Sequence, residues 1–275
     1  MADVQVVPTG VYLYADPSAV PPDLRTVAAH IKRVCGIPAR VRKEFLVHHK
    51  VRDLDALARE LAAARVSDLA RPLPGTEPPL SLALFERRQL GSPERRVSGV
   101  LYDGVRVQRT LRTALPPKER SLAFVHIVFT SRLLGTFDDA DRRYHARAIV
   151  VGYPSIISTS GLVEAPAKPR EFYVAKRALR IETADARYVS LKESFAGRFL
   201  DFEDPRLTRV AKGYALQALF YHATGAPFCE DRDCVLFNAH WQEELLHAQV
   251  ESGLLCARHR KVAETLRGGR RTRTR

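Results

Sequence analysis

The stretch DPRLTRVAKGYALQALFYHATGAPFCEDRDC, residues 204–234, joins a long helix to the first half of a cysteine cluster. Asp204 suits the cap, Pro205 the first helical position and Gly225 the stop, because proline presets φ and glycine accepts a left-handed turn. The spacing predicts a helix over 205–223 with Leu207, Ala211, Tyr214, Ala218 and His222 on one face. His222, at the end of that apolar stripe, reads either as a packed core histidine or as a metal ligand. Beyond the glycine, Cys229 and Cys234 form CxxxxC, and after twenty-one intervening residues Cys256 and His259 form CxxH. Thiolates and an imidazole supplied in pairs from two short segments suit a closed, tetrahedral structural zinc, which prefers soft S and N donors. A disulfide between Cys229 and Cys234 is the competing reading. Cys35, the fourth cysteine, is then a lone buried thiol.

The reading of the compartment favours the metal. Met1 to Tyr14 lacks a basic leader followed by a long apolar run, and no later stretch reaches the roughly 18 to 20 apolar residues of a bilayer span. A cytoplasmic protein without a membrane partner is expected, and a reducing compartment keeps thiols available as ligands. The 275 residues, 45% of them hydrophobic, suffice for one large or two modest cores. Of the formal net charge of +13, five units come from Arg267, Arg270, Arg271, Arg273 and Arg275, in a tail read as a solvated, disordered terminus, 267–275. The remaining charge is spread without aromatic interleaving, so a nucleic-acid partner has only that tail in its favour. Neither a glycine-rich phosphate cradle nor a nucleophile elbow is present in the sequence.

Toward the N-terminus, Val4 to Tyr14 reads as a strand, Leu24 to Val34 as a helix ended by Gly36, Ala39 to Val47 as a strand and Asp53 to Ala64 as an amphipathic helix. Leu80 to Phe85 and Ser121 to Thr130 are apolar runs of strand length; the second is dense in β-branched and aromatic residues, as a central strand is. Residues 87–119 resist assignment. Ala146 to Gly152 and Ser155 to Ser160 are expected as short strands, and helices are expected over 186–198, 239–250 and 254–265. An α/β part over 1–185 and a helical part over 186–266 follow.

Ala218 to Cys229 (ALFYHATGAPFC) resembles the archaemetzincin zinc signature HExxHxxGxxHC, which continues into CxxxxC and a final CxxC. His222 matches the second histidine, Gly225 the glycine, and Cys229, Cys234 and Cys256 the first three cysteines, with His259 in place of the fourth. The resemblance covers mainly residues 205–262; upstream, 155–162 is weakly similar to the strand before the active helix. It implies a mixed twisted sheet flanked by helices, zincin-like, with a zinc-stapled helical C-terminal part, and a metallopeptidase activity on peptide or protein substrates. Against this, Ala218 stands in the slot of the first histidine, Leu219 in that of the catalytic glutamate, Phe228 in that of the third histidine and Leu236 in that of the methionine. Leucine accepts no proton and one histidine holds zinc weakly, so the standard mechanism is not expected to run on this helix.

A second constellation, His240, Glu243, Glu244 and His247, has the spacing i, i+3, i+4, i+7, which puts four polar groups on one face of a single helix. With His222 it would form a relocated catalytic site holding a second zinc, with Glu243 or Glu244 as the base. A solvated helix face is the plainer reading. Asp138, Asp139, Asp141, Tyr144 and His145 form the densest polar cluster upstream; Asp138 and Asp139 are read as part of an exposed turn, with lining of the cleft as the alternative. Two functions remain open: a metallopeptidase working through a metal-bound water, or a non-catalytic descendant that keeps the zinc staple and binds a peptide or partner.

Overall fold

A computed structural model of the chain describes residues 4–18, 22–92, 97 and 99–269. Alternation along Gly10–Tyr14 sends Val11 and Leu13 to one face and Tyr12 and Tyr14 to the other, so this strand, β1, is buried on both sides. The elements that follow are α1 (Leu24–Cys35), β2 (Ala39–Arg42), α2 (Phe45–His48), α3 (Leu54–Ala63), β3 (Arg65–Val66), α4 (Leu80–Gly91), β4 (Leu101–Asp103), α5 (Gly104–Ala114) and β5 (Phe124–Thr130). Then come β6 (Leu133–Asp138), β7 (Arg143–Arg147), β8 (Ile149–Val150), β9 (Ser155–Ser158), α6 (Thr159–Glu164), α7 (Arg170–Ala178) and α8 (Arg187–Glu193). The C-terminal helices are α9 (Leu207–Thr224), α10 (Gln242–Leu246) and α11 (Ala257–Gly268).

The expected mixed α/β architecture is present. Five strands lie in the order β2-β1-β5-β9-β8, parallel throughout except for the antiparallel edge strand β8. A smaller sheet, β3-β4-β6-β7, stands apart from it. On one face of the larger sheet, Val125, Ile127 and Phe129 of β5 pack with α1, α9 and α11. On the other, Val128 and Ile156 pack with Leu57 and Leu61 of α3 and Val107 and Leu111 of α5. The first of these cores takes residues from both of the parts expected over 1–185 and 186–266, so no break in packing falls at residue 185. Of the expected basic tail, only Arg267, Gly268 and Gly269 lie within the described residues; 270–275 lie outside them.

Several elements depart from their expected form. Leu80–Phe85, expected as a strand, is the first half of α4: a short apolar run carries no period that separates strand from helix, and here Ala83 and Glu86 turn inward while Leu80 and Leu84 face solvent. Val4 to Thr9 leaves the sheet, with the Gln5 and Val6 amides donating to the Ala223 carbonyl at the end of α9. The strand from Ser155 stops at Ser158, whose hydroxyl accepts from the Gly161 amide and caps α6. Residues 186–198 supply only α8, and 254–265 shifts to α11.

Beneath the second core lies a polar network. Arg42 donates to the Tyr14 hydroxyl (2.8 Å) and pairs with Glu119 (2.6 Å). The Tyr14 hydroxyl lies 2.8 Å from His126 Nδ1, and His126 Nε2 lies 3.1 Å from the Glu119 carbonyl. A neutral imidazole satisfies both contacts, accepting at Nδ1 and donating at Nε2. Burial pushes the His126 pKa down to about 4. The folded protein therefore resists a proton that the unfolded chain takes up near pH 6.5, so stability is full above that pH and falls as pH drops from about 6.5 toward 4. The share from His126 is on the order of 2–3 kcal/mol. Urea melts at pH 7 and pH 4.5 should show a smaller acid loss in His126→Gln than in wild type; an equal loss would remove His126 from the acid response.

Candidate metal centre

The long helix α9 ends at Gly225 with φ 77°, as expected, but begins at Leu207 and not at Pro205: Arg206 holds the cap position without a side-chain bond, and Asp204 instead accepts from the Arg206 amide and guanidinium. It is more enclosed than a one-faced stripe: every residue from Gly213 to Phe220 is buried. Gly213 lets the helix pass close to Gln249: a Cβ there would come within 2.5 Å of the end of that side chain, which would have to move. After the glycine the chain folds into a tight knuckle. The Cys229 amide donates to the Leu236 carbonyl, the Cys234 amide to the Asp231 carbonyl and the Val235 amide to the Leu254 carbonyl. The last bond brings the segment before Cys256 alongside Cys234. Cys256 then precedes α11, and His259 lies in the first turn of that helix, edge-on to Phe220 of α9 at 5.6 Å.

These turns gather the four expected ligands. The Cys229, Cys234 and Cys256 sulfurs and a His259 ring nitrogen lie within 4.8 Å of one another. Cys229 Sγ is 3.9 Å from Cys256 Sγ, and His259 Nδ1 is 3.6 Å from Cys234 Sγ and 3.1 Å from Cys256 Sγ. With Zn–S bonds near 2.3 Å, sulfurs on a tetrahedron sit roughly 3.8 Å apart, so the cluster has the dimensions of a zinc site. All four cysteines are free thiols, which sets aside the Cys229–Cys234 disulfide. Burial pushes the Cys234 thiol up to about 12 and raises that of Cys229. Metal-free, these thiols would stay protonated; a divalent ion supplies the charge that favours thiolate. Cys35 is the lone buried thiol expected, raised to about 12 by burial.

The other constellation is not assembled. Trp241 is extended (φ −114°, ψ 148°), so α10 begins only at Gln242, and a π-helical turn, His247–Ser252, follows it. The expected helix over 239–250 thus starts late and changes to a π turn at His247, so His240 leaves the common face, while Glu243, Glu244 and His247 stay on adjoining turns, the His247 amide donating to the Glu243 carbonyl. Each residue has its own surroundings. Glu244 accepts from the His240 and Trp241 amides, closing the N-terminus of α10, and Glu243 pairs with Arg198 at 2.7 Å. His247 sits between Asp233 (2.7 Å) and Glu251 (3.0 Å), whose carboxylates raise its pKa. His222 Nε2 lies 2.8 Å from the Leu122 carbonyl, and burial lowers its pKa. His240 faces a groove.

That groove, about 610 Å³, runs between the edge strand β8 and the segment 237–240, and is also lined by Tyr214 and Gln217 of α9 and by Phe228. Gln217 is 1% exposed; its Nε2 donates to the Phe237 carbonyl, while its Oε1 has no partner among the described residues. Ala218 and Leu219, in the slots of the first histidine and the base, are 0% exposed and belong to the core. The sequence reading missed one grouping, although it marked the residues: Asp138, Asp141 and His145 have ligand atoms within 4.8 Å of one another, and His145 lines the groove. The i, i+4 spacing of Asp141 and His145, bonded at 2.5 Å, was the available signal.

Residues 8–266 match the profile of a family described as "Probable metallopeptidase family (DUF6775)". The chain belongs to this family. The metallopeptidase resemblance read from residues 205–262 is thus met by a family match that spans most of the polypeptide. Among solved structures, the chain is similar to a zinc-dependent peptidase from Methanocorpusculum labreanum, with 15% identity, 92% of this chain and 99% of that one covered, and a TM-score of 0.45. It is also similar to archaemetzincin from Methanopyrus kandleri, with 13% identity, 95% and 97% covered, and a TM-score of 0.45. None of the curated proteins compared matches it. Among the described residues, no helix is long and apolar enough to cross a membrane.

Proposed function

We propose that this member of the metallopeptidase family is a non-hydrolytic peptide-binding protein, stapled by one structural zinc. The observation that carries the reading is the state of α9: the slots for a metal ligand and a catalytic base hold Ala218 and Leu219, both enclosed in the core. Cys229, Cys234, Cys256 and His259 would fill all four positions of a tetrahedral ion, leaving none for a reacting water. The zinc would tie the 229–234 knuckle to α11 and supply folding energy. A reducing, cytoplasmic setting agrees with the free thiols. The groove along β8 is the proposed seat of an extended peptide, because an antiparallel edge strand can add a further strand from a ligand.

A hydrolytic reading has one observation in its favour, the meeting of Asp138, Asp141 and His145 beside the groove. Two carboxylates and an imidazole can hold a second divalent ion with positions open to water. The two readings separate in one experiment, in which the zinc-loaded chain is incubated with a fluorescent unstructured peptide library and both anisotropy and fragment masses are followed. The non-hydrolytic reading predicts saturable binding, weakened at least about fivefold by Phe228→Ala in the groove wall, with no fragments. Chelator-sensitive cleavage that Asp141→Asn abolishes would establish the hydrolase instead.

A further inference from the structure

The helices α1, α9 and α11 cover one face of the larger sheet, and between them they carry nine Lys and Arg residues against one acidic residue, Glu264. Residues 270–275, RRTRTR, follow α11 in the sequence and add four more arginines. A net +8 in the helices and +4 in that segment account for twelve units of the formal net charge of +13, which leaves the rest of the polypeptide close to neutral. The charge outside the tail is therefore not spread through the chain, as its sequence suggests, but gathered on one helical layer.

These cations lack carboxylate partners. Elsewhere Arg42, Arg65, Arg132, Lys192, Arg198 and Arg206 each pair with an acidic side chain, whereas among the described residues none of the nine does. They also crowd one another. The Arg267 guanidinium donates to the Arg33 and Val34 carbonyls at 3.0 and 2.6 Å, and Arg33, Arg260 and Arg267 all line a hollow of about 370 Å³ between α1 and α11. On α9, burial first, and then the charges of Arg33 and Arg209, lower the pKa of Lys212. Like charges held together without counter-charges oppose the compact state, and a polyanion would relieve them. The acidic groups at hand are Glu264, in the wall of the hollow, and Asp23, whose carboxylate is engaged in capping α1.

The kind of polyanion follows from what else this face offers. Single strands are held by stacking their bases on aromatic rings. Neither α1 nor α11 contains Phe, Tyr or Trp, and on α9 Tyr214 and Phe220 are buried and Tyr221 half-buried. Protein interfaces are centred on apolar and aromatic side chains. Among the described residues these helices expose no large apolar side chain, and Leu254, before α11, is the exposed one beside the hollow. What remains is positive charge, which suits phosphates presented at high density on a double helix.

We propose that the outer surface of α1, α9 and α11 docks the phosphate backbone of a nucleic-acid duplex, without reading its sequence. The surface uses none of the groove residues, and the inference stands whether or not peptides bind there. Fluorescence anisotropy on the full zinc-loaded chain tests it, with labelled DNA and RNA duplexes of about 20 base pairs, the corresponding single strand and polyglutamate. Both duplexes should bind with dissociation constants below about 10 μM at about 50 mM salt, within about fivefold of each other and at least about tenfold tighter than the single strand or polyglutamate. Raising the salt to about 200 mM should weaken binding at least about thirtyfold. Arg33→Gln with Lys212→Gln should weaken it at least about tenfold and lower the slope of log affinity against log salt by about 2. Arg109→Gln with Arg112→Gln, which removes two exposed arginines from α5 on the opposite face of the sheet, should change it by less than about twofold. Circular dichroism and zinc content check that both variants fold. Absence of duplex binding, a wider gap between DNA and RNA, equal binding of polyglutamate or the single strand, or an equal loss in the α5 variant would each overturn the proposal.

Discussion

Cys234→Ser is expected to release the zinc and to loosen the whole C-terminal end of the chain. Cys234 is 0% exposed, and its knuckle is tied by backbone bonds to Leu236, Asp231 and Leu254. The metal would add a strong link between the two ligand pairs to the backbone bond from Val235 to Leu254. On the far side of the link, Ala263 and Leu266 of α11 complete the core that also holds α9 and the large sheet. Losing the ion should therefore cost more than about 4 kcal/mol, which for a chain of this size lowers the melting temperature by about 10 °C. A chelator should produce the same fall in wild type and no further fall in the variant. Zinc loss without a change in melting temperature would mean that the ion is bound but does not staple the fold.

Leu219→Glu is expected to be the most damaging substitution on α9. It would restore the glutamate of the resembled signature, yet the side chain would enter a core position that is 0% exposed, within the cluster that joins α9 to α1 and the large sheet. A carboxylate there has no partner and either ionises against a large desolvation cost or takes up a proton. The loss should exceed about 4 kcal/mol, whereas Leu219→Met, close in volume, should cost less than about 1.5 kcal/mol. Urea denaturation of the two variants gives the comparison. If Leu219→Glu proved as stable as Leu219→Met, the slot would be open to solvent, and the reading of α9 as a buried structural helix would fail.

The metal cluster was legible because its ligands come in close pairs, and a pair separated by four residues or two can meet only in a knuckle or on one helical turn. The long helix was legible for a similar reason, since Gly225 stops it where a left-handed residue is needed. Leu80–Phe85 was not, because a short apolar run reads the same as a strand or as half a helix. His240 to His247 misled for a subtler reason. Their spacing aligns only if one helix runs through all four, and local bonding decides otherwise: Glu244 reaches back to the His240 and Trp241 amides and starts the helix at Gln242.

Metal counting by plasma mass spectrometry on the purified chain, beside His222→Ala and Cys229→Ala, bears most directly on a protein held by one closed ion and lacking a catalytic one. One zinc per chain is expected in wild type, one in His222→Ala and none in Cys229→Ala. Two metals in wild type with one lost from His222→Ala, or zinc retained in full by Cys229→Ala, would contradict it.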